Sequence, residues 1–216
     1  MPVPTPMPNA TRKPAPQKRE TYHVGNLAPQ LLDAARQLLV EVGPTRLSLR
    51  AVSERVGVSP TAAYHHFANR TELVAHLAAQ GFLELSQALS GDTSESDRLR
   101  QVCLAYFRFA RSNPAIYQLM FGAEFVSGET LPALAEARAE AFGRLERIIA
   151  DELAQPADCP DVRGAALGSW SYIHGFASLL IHGVIQVPEA VSDERLVELT
   201  LGGLRRVFQD RHGSAG

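Results

Sequence analysis

The chain is 216 residues long, 45% hydrophobic and 20% charged, with a formal net charge of −2. That apolar content supports a packed core in one sizeable domain or two small ones, and it excludes a chain too polar to fold. Two cysteines without a pairing or metal pattern, and no hydrophobic core behind the initial Met, predict a cytoplasmic protein that is neither secreted nor disulfide-stapled.

The first 20 residues carry six prolines and no apolar periodicity, so residues 1–21 read as a disordered arm. Its Arg12, Lys13, Lys18 and Arg19 suit either a plain solvated tail or an arm that tracks phosphates or the minor groove. Beyond it the spacing predicts nine helices, at roughly 26–42, 48–55, 59–66, 70–90, 95–112, 114–122, 130–154, 161–186 and 192–210. No Val/Ile/Thr alternation suggests a sheet. The expected fold class is all-α.

The second and third of these helices hold the most informative stretch, Ser48 to Phe67. Ser48 caps a helix whose Leu49, Val52 and Val56 share one face. Gly57 supplies the left-handed residue that ends it, and Ser59-Pro60 restarts the chain with a cap and a first-turn proline. Two short helices around a Gly-containing turn can cross steeply, which frees the second to enter a DNA major groove. An ordinary helical hairpin carries the same punctuation. Charge leans toward DNA: residues 1–80 hold nine Lys/Arg against five Asp/Glu, a net of +4, which leaves −6 for the rest.

The continuation is more specific. Gly57-Val58-Ser59-Pro60-Thr61-Ala62-Ala63-Tyr64-His65-His66-Phe67, with Asn69 and Arg70 opening a helix through Leu73, Leu77 and Phe82, resembles the tetracycline-repressor (TetR) family of bacterial transcription regulators. The run His23 to Leu27, with Leu31, Ala35, Leu38, Leu39 and Gly43, is similar to that family's first helix and its ending. The likeness covers roughly residues 22–83, and two positions depart from it. Thr61 stands where many members have Gly, and Arg70 where most have Lys.

The resemblance implies a helix-turn-helix DNA-binding domain over 22–83, in which Arg50 contacts phosphate or a base edge. Ser59 opens the recognition helix, and Pro60, Thr61 and Ala62 face the bases, with methyl contacts to thymine as their chemistry. Tyr64 and His66 hold phosphates, Arg70 adds a charged contact, and His65 is the variable position.

In the second half, Asn113-Pro114 ends one helix and starts another. Ser112 to Gly122 and Trp170-Ser171-Tyr172-Ile173-His174-Gly175 resemble the C-terminal domain that this family names WHG, after a Trp, His and Gly that are here Trp170, His174 and Gly175. That implies a regulatory and dimerisation domain over 84–212. Tyr106, Phe107, Phe109, Tyr117, Phe121, Phe125 and Phe142 can line a ligand pocket with Trp170 and His174, or pack as core. Of these, Tyr106, Tyr117, Phe121, Trp170 and His174 are the candidate ligand contacts. His174 serves either the ligand or a satisfied core hydrogen bond.

Gly168 to Val187 has no Asp, Glu, Lys or Arg, a length that suits a bilayer. Its two histidines, Gln186 and three glycines favour a buried core and dimer helix instead. His174 and His182 lie ~80° apart around a helix with no third ligand, so no metal is expected. No nucleophile or phosphate-loop motif appears, and neither catalysis nor a cofactor is expected.

One head of this size reads too little sequence, so two must be joined, normally by two-fold symmetry. The helices near 161–186 and 192–210, the latter with Leu196, Leu199, Leu204 and Val207 in a stripe, are the expected homodimer contact. The expected function is a repressor released from a palindromic double-stranded operator by an unidentified small-molecule effector. An activator, or a constitutive regulator without a ligand, is the alternative.

Overall fold

A computed structural model describes residues 27–90, 98–122, 131–188 and 190–209, with side chains as far as Arg206. The expected basic arm and Phe125 lie outside the described residues. Within them every regular element is helical: α1 (Leu27–Val42), α2 (Leu49–Val56), α3 (Pro60–Tyr64), α4 (Arg70–Ala88), α5 (Arg98–Ser112), α6 (Pro114–Met120), α7 (Pro132–Leu153), α8 (Pro160–Ile181) and α9 (Asp193–Gln209). A single 3-10 turn at Pro44–Arg46, absent from the sequence expectation, links α1 to α2.

Local chemistry sets these boundaries. Ser48 Oγ accepts the Ala51 N–H at 3.2 Å, and Ser59 Oγ accepts the Ala62 N–H at 3.2 Å. Gly57 sits at φ 79°, and the Gly57 and Val58 N–H groups reach Glu54 O and Ser53 O at 3.1 and 2.9 Å. That pair of bonds is a Schellman ending, which needs the left-handed residue. Asn69 Oδ1 caps α4 by accepting the Glu72 N–H at 2.9 Å, while Glu72 Oε2 accepts the Ala68 N–H at 2.6 Å.

Several helices end earlier than their apolar patterns suggest, two of them for visible reasons. The recognition segment leaves the helix after Tyr64 rather than His66, because Phe67 must turn into the core, where it is 3% exposed and meets His76 edge-on at 5.5 Å. The long helix expected to reach 186 stops at Ile181. Gly183, at φ 69°, carries the same Schellman pair to Leu180 O and Leu179 O, at 3.0 and 2.9 Å.

α1 to α4 form a head and α5 to α9 a body, but α4 belongs to both. It runs unbroken across the expected boundary at 83/84, and its packing along α7 is the most extensive helix pair in the fold. α6 lies against α4 and α1. A Cβ at Gly81 of α4 would stand 2.6 Å from Met120 Sδ, 2.9 Å from Met120 Cγ and 3.1 Å from Ile116 Cγ1. Only glycine lets α6 come this close. Beside that contact the Arg36 guanidinium of α1 engages both carboxylate oxygens of Glu84, at 2.7 Å for Oε2, and donates to Asn113 Oδ1 at 3.3 Å. The hydrogen bond to Glu84 holds Arg36 above the usual arginine range.

Glycine to a larger residue inside a helix usually raises helix stability, by up to ~1 kcal/mol for alanine. At Gly81 the sign reverses, because overpacking of this kind costs ~1–3 kcal/mol. Urea denaturation of Gly81→Val shows that loss, and Met120→Ala in the same chain recovers part of it. Equal stability of Gly81→Val and the parent would mean that the α4–α6 contact is not tight.

Candidate nucleic-acid interface and regulatory core

The head presents one continuous polar and aromatic edge. Val52 and Ala63, both fully buried, anchor α2 and α3 in the core. On the outside, Arg50, Ser59, Pro60, Thr61, Tyr64, His65 and His66 are exposed, while Ala62 and Arg70 are half-buried. The sequence-derived DNA residues are therefore gathered at one end, over α2, α3 and the start of α4. Tyr64 is 53% exposed although aromatic.

Arg70 is held from within. Its Nε donates to Leu47 O at 2.9 Å and its Nη2 to Pro44 O at 2.6 Å, so the guanidinium is fixed beside the 3-10 turn. Other arginines of the head are tied to carboxylates: Arg36 to Glu84, and Arg55 to Glu41 at 2.5 Å.

In the body, α5, α6 and α8 bring the five candidate ligand residues together. Tyr106 and Trp170 meet edge-on at 5.5 Å, Tyr106 and Tyr117 at 6.1 Å, and Phe121 lies 4.3 Å from the His174 ring. The Tyr117 and Tyr106 hydroxyls sit 2.8 and 3.1 Å from His174 Nδ1, and Ser178 Oγ is 3.5 Å from Nε2. Burial pushes His174 below its ordinary value, which favours the neutral ring, with Nδ1 in the tyrosine pair and Nε2 toward Ser178. Burial likewise raises both tyrosines. Cys103 close by is pushed up to about 11, a protonated thiol.

This centre is filled by its own side chains. The void beside Tyr106, Trp170 and Ile173 measures only about 10 Å³, the space of one water. A larger cavity of about 380 Å³ opens on the outer side of the same wall, between Phe82, Met120, Phe121, Arg138, Phe142 and Trp170. Phe121 and Trp170 thus face the cavity, with Tyr106, Tyr117 and His174 behind them. The Arg138 guanidinium stands over the Phe82 ring at 5.6 Å. Phe107 leaves this group and stacks on Phe176 at 5.3 Å.

Several of these residues were not legible in the sequence. Ser178 carried a weak signal, four residues after His174 on the same helix face. Arg36, Glu84 and Asn113 carried none, since they are 48 and 77 residues apart.

One face of α8 points out of the fold. It carries Gly164, Leu167, Gly168, Ser171, Gly175 and Leu179, with the two leucines 50% and 43% exposed. A Cβ at any of those glycines would meet nothing within 4 Å. On α9 the expected stripe divides: Leu196 is 8% exposed and part of the core, whereas Leu199 and Leu204 face out, and the Val207 side chain lies outside the described residues. Among the described residues no helix is long and apolar enough to cross a membrane.

Comparison with known proteins agrees with this anatomy. The family profile "Bacterial regulatory proteins, tetR family" matches residues 31–77, and "Tetracyclin repressor-like, C-terminal domain" matches residues 99–204. A solved structure of a protein of unknown function from Rhodococcus sp. RHA1 is 27% identical, with a TM-score of 0.72, covering 88% of this chain and 98% of that one. The transcriptional activator FasR of Mycolicibacterium smegmatis is 29% identical over 52% of this chain and 53% of its own. The nucleoid occlusion factor SlmA of Pasteurella multocida is 28% identical over 49% of this chain and 54% of its own. The match thus spans about half the length of these relatives.

The neutral His174 gives a pH signature. Its folded-state value lies below the ordinary 6.5, so the unfolded chain takes up the proton first and stability falls as pH drops below about 6.5. Between pH 7.5 and 5.5 the parent should lose more stability in urea than His174→Asn does. Equal losses would mean that His174 is not held neutral by the fold.

Proposed function

Because this chain belongs to the TetR family of bacterial regulatory proteins, we propose that it is a homodimeric repressor that a small-molecule effector releases from a palindromic operator. That it is a DNA-binding transcriptional regulator follows from the family itself. The observation that carries the finer reading is the capped, exposed tip of α3, standing at the far end of α4 from the body.

In this reading two copies of α3 enter major grooves one helical turn apart, about 34–36 Å, or a multiple of it. Pro60, Thr61 and Ala62 present methyl and methylene groups to bases, with thymine methyls as their partners. Ser59 caps the helix, and His65 lies beside the base-facing tip. Arg50, Tyr64 and His66 contact phosphates, and Arg70 offers a fixed charge from its tether on Pro44 and Leu47. The dimer forms through the outward face of α8, where Gly164, Gly168 and Gly175 allow close approach, together with the exposed Leu199 and Leu204 of α9. Four helices, two from each chain, build that contact.

The effector enters the Phe121–Trp170 cavity, whose aromatic walls and single guanidinium suit a partly apolar ligand. It acts by preferring one geometry of α6 against α4, which shifts the population of head arrangements. The FasR likeness favours a second reading, in which bound chain activates transcription rather than blocking it.

Duplexes selected from a random pool, together with the chain's own upstream region, provide the operator for the test. Tyr64→Ala should weaken binding to all sequences and lower the slope of log K against log salt. Gly168→Arg should leave the fold intact, since its Cβ meets nothing within 4 Å, yet yield monomers that have lost operator affinity. A Gly168→Arg chain that stays dimeric in sedimentation would remove α8 from the interface, and binding that survives it would remove the need for a dimer.

A further inference from the structure

A groove separate from the aromatic cavity opens beside the end of α8. It measures about 350 Å³ and runs between α5, the first residue of α6, the connection after α8, and α9. Its walls are aliphatic: Leu180, Ile181, Ile185, Val187 and Val191, with Phe107 beneath. Leu180 and Ile181 leave α8 on a different side from the outward glycine face, so the groove is not part of the proposed dimer contact. Among the described residues the only charged group lining it is Arg111, in the last turn of α5.

The branched aliphatic side chains offer no hydrogen bonds of their own, and the polar surface of the groove comes from Arg111 and main-chain groups. The aliphatic walls do accept a hydrocarbon chain. At the charged end, the Arg111 guanidinium stands 5.7 Å over the Phe107 ring and donates through Nη1 to Asp193 Oδ1. Arg111 is 53% exposed and Asp193 24%, so part of the guanidinium fork stays open to solvent beside the carboxylate that it engages. A guanidinium carries five donors in a planar fork, enough for a second carboxylate beside the first. The volume falls within the usual range for small-ligand sites, ~300–1,000 Å³.

We propose that this groove binds a medium-chain aliphatic carboxylate, with its chain along Leu180, Ile181, Ile185 and Val191 and its carboxylate on Arg111. The occupant touches Pro114, the first residue of α6. The next residue back, Asn113, accepts from Arg36 of the head, so the site adjoins the joint between body and head. The inference does not depend on the aromatic cavity being an effector site.

The test is calorimetric titration of the full chain with decanoate below its micellar concentration, and with decanol for comparison. The expected result is one saturable decanoate site per chain and a preference for decanoate over decanol. Arg111→Gln should weaken decanoate binding by roughly tenfold or more and abolish that preference. Val191→Trp, which fills the groove from a half-buried loop position, should remove binding of both ligands while circular dichroism and melting remain those of the parent. The proposal is overturned if the parent shows no saturable binding, or if Arg111→Gln or Val191→Trp binds decanoate as tightly as the parent. Loss of binding on Phe142→Trp with Val191→Trp unaffected would move the ligand to the aromatic cavity and equally overturn it. Dissociation of the dimer by Val191→Trp would make the groove a subunit contact and overturn it too.

Discussion

The close passage of α4 over α6 at Gly81 is the constraint on which the rest of the molecule depends. Missing a side chain at one position lets Ile116 and Met120 reach the backbone of the helix that also carries the head. The same stretch of α4 holds Glu84, which fixes Arg36 of α1 and, through it, Asn113 at the start of α6. Apolar contact and charged hydrogen bonds therefore act on the same three helices. α4 is continuous from Arg70 to Ala88, so one unbroken helix joins the α6 contact to the head, and the proposed effector response would run along it.

The aromatic core of the body is built on a different balance. Tyr106 and Tyr117 are nearly fully buried, and such hydroxyls are costly unless partnered. His174 meets them with one nitrogen and reaches Ser178 with the other, and burial favours the neutral ring. A filled, satisfied centre leaves the larger cavity to form outside it, on the far side of Phe121 and Trp170. Tyr117 and Ile116 are neighbours on α6: one faces this network and the other faces Gly81. The seven-residue α6 thus touches both the polar core and the joint.

Much of this was legible in local sequence, for local reasons. Ser48, Gly57, Ser59 and Asn69 act within four residues of themselves, and each sits at the helix end that its chemistry predicts. The Trp170–His174 spacing and the aromatics of α5 and α6 anticipated which side chains of the body come together. What escaped was either a competing local signal or a long-range pairing. Gly183, one of the three glycines in the uncharged run 168–187, has a left-handed backbone that ends α8, which the apolar pattern alone does not show. Phe67 pulls the chain out of helix two residues early because its burial outweighs two more helical residues. Leu196 fits the same periodic stripe as Leu199, yet packs inward, since periodicity gives a face and not its partner. Arg36–Glu84 spans 48 residues, and no spacing rule reaches that far.

In the proposed dimer the continuous α4 helices would set the separation of the two α3 tips, so DNA spacing is the most direct probe of the whole arrangement. The measurement is operator affinity for a series of duplexes in which base pairs are inserted one at a time between the half-sites. Two heads held by continuous α4 helices predict a steep loss of affinity once the half-sites rotate away from one face of the duplex, ~5 base pairs or half a turn. Affinity that stays constant across the series would contradict it, because it would mean that the heads are free of the body or that one head binds alone.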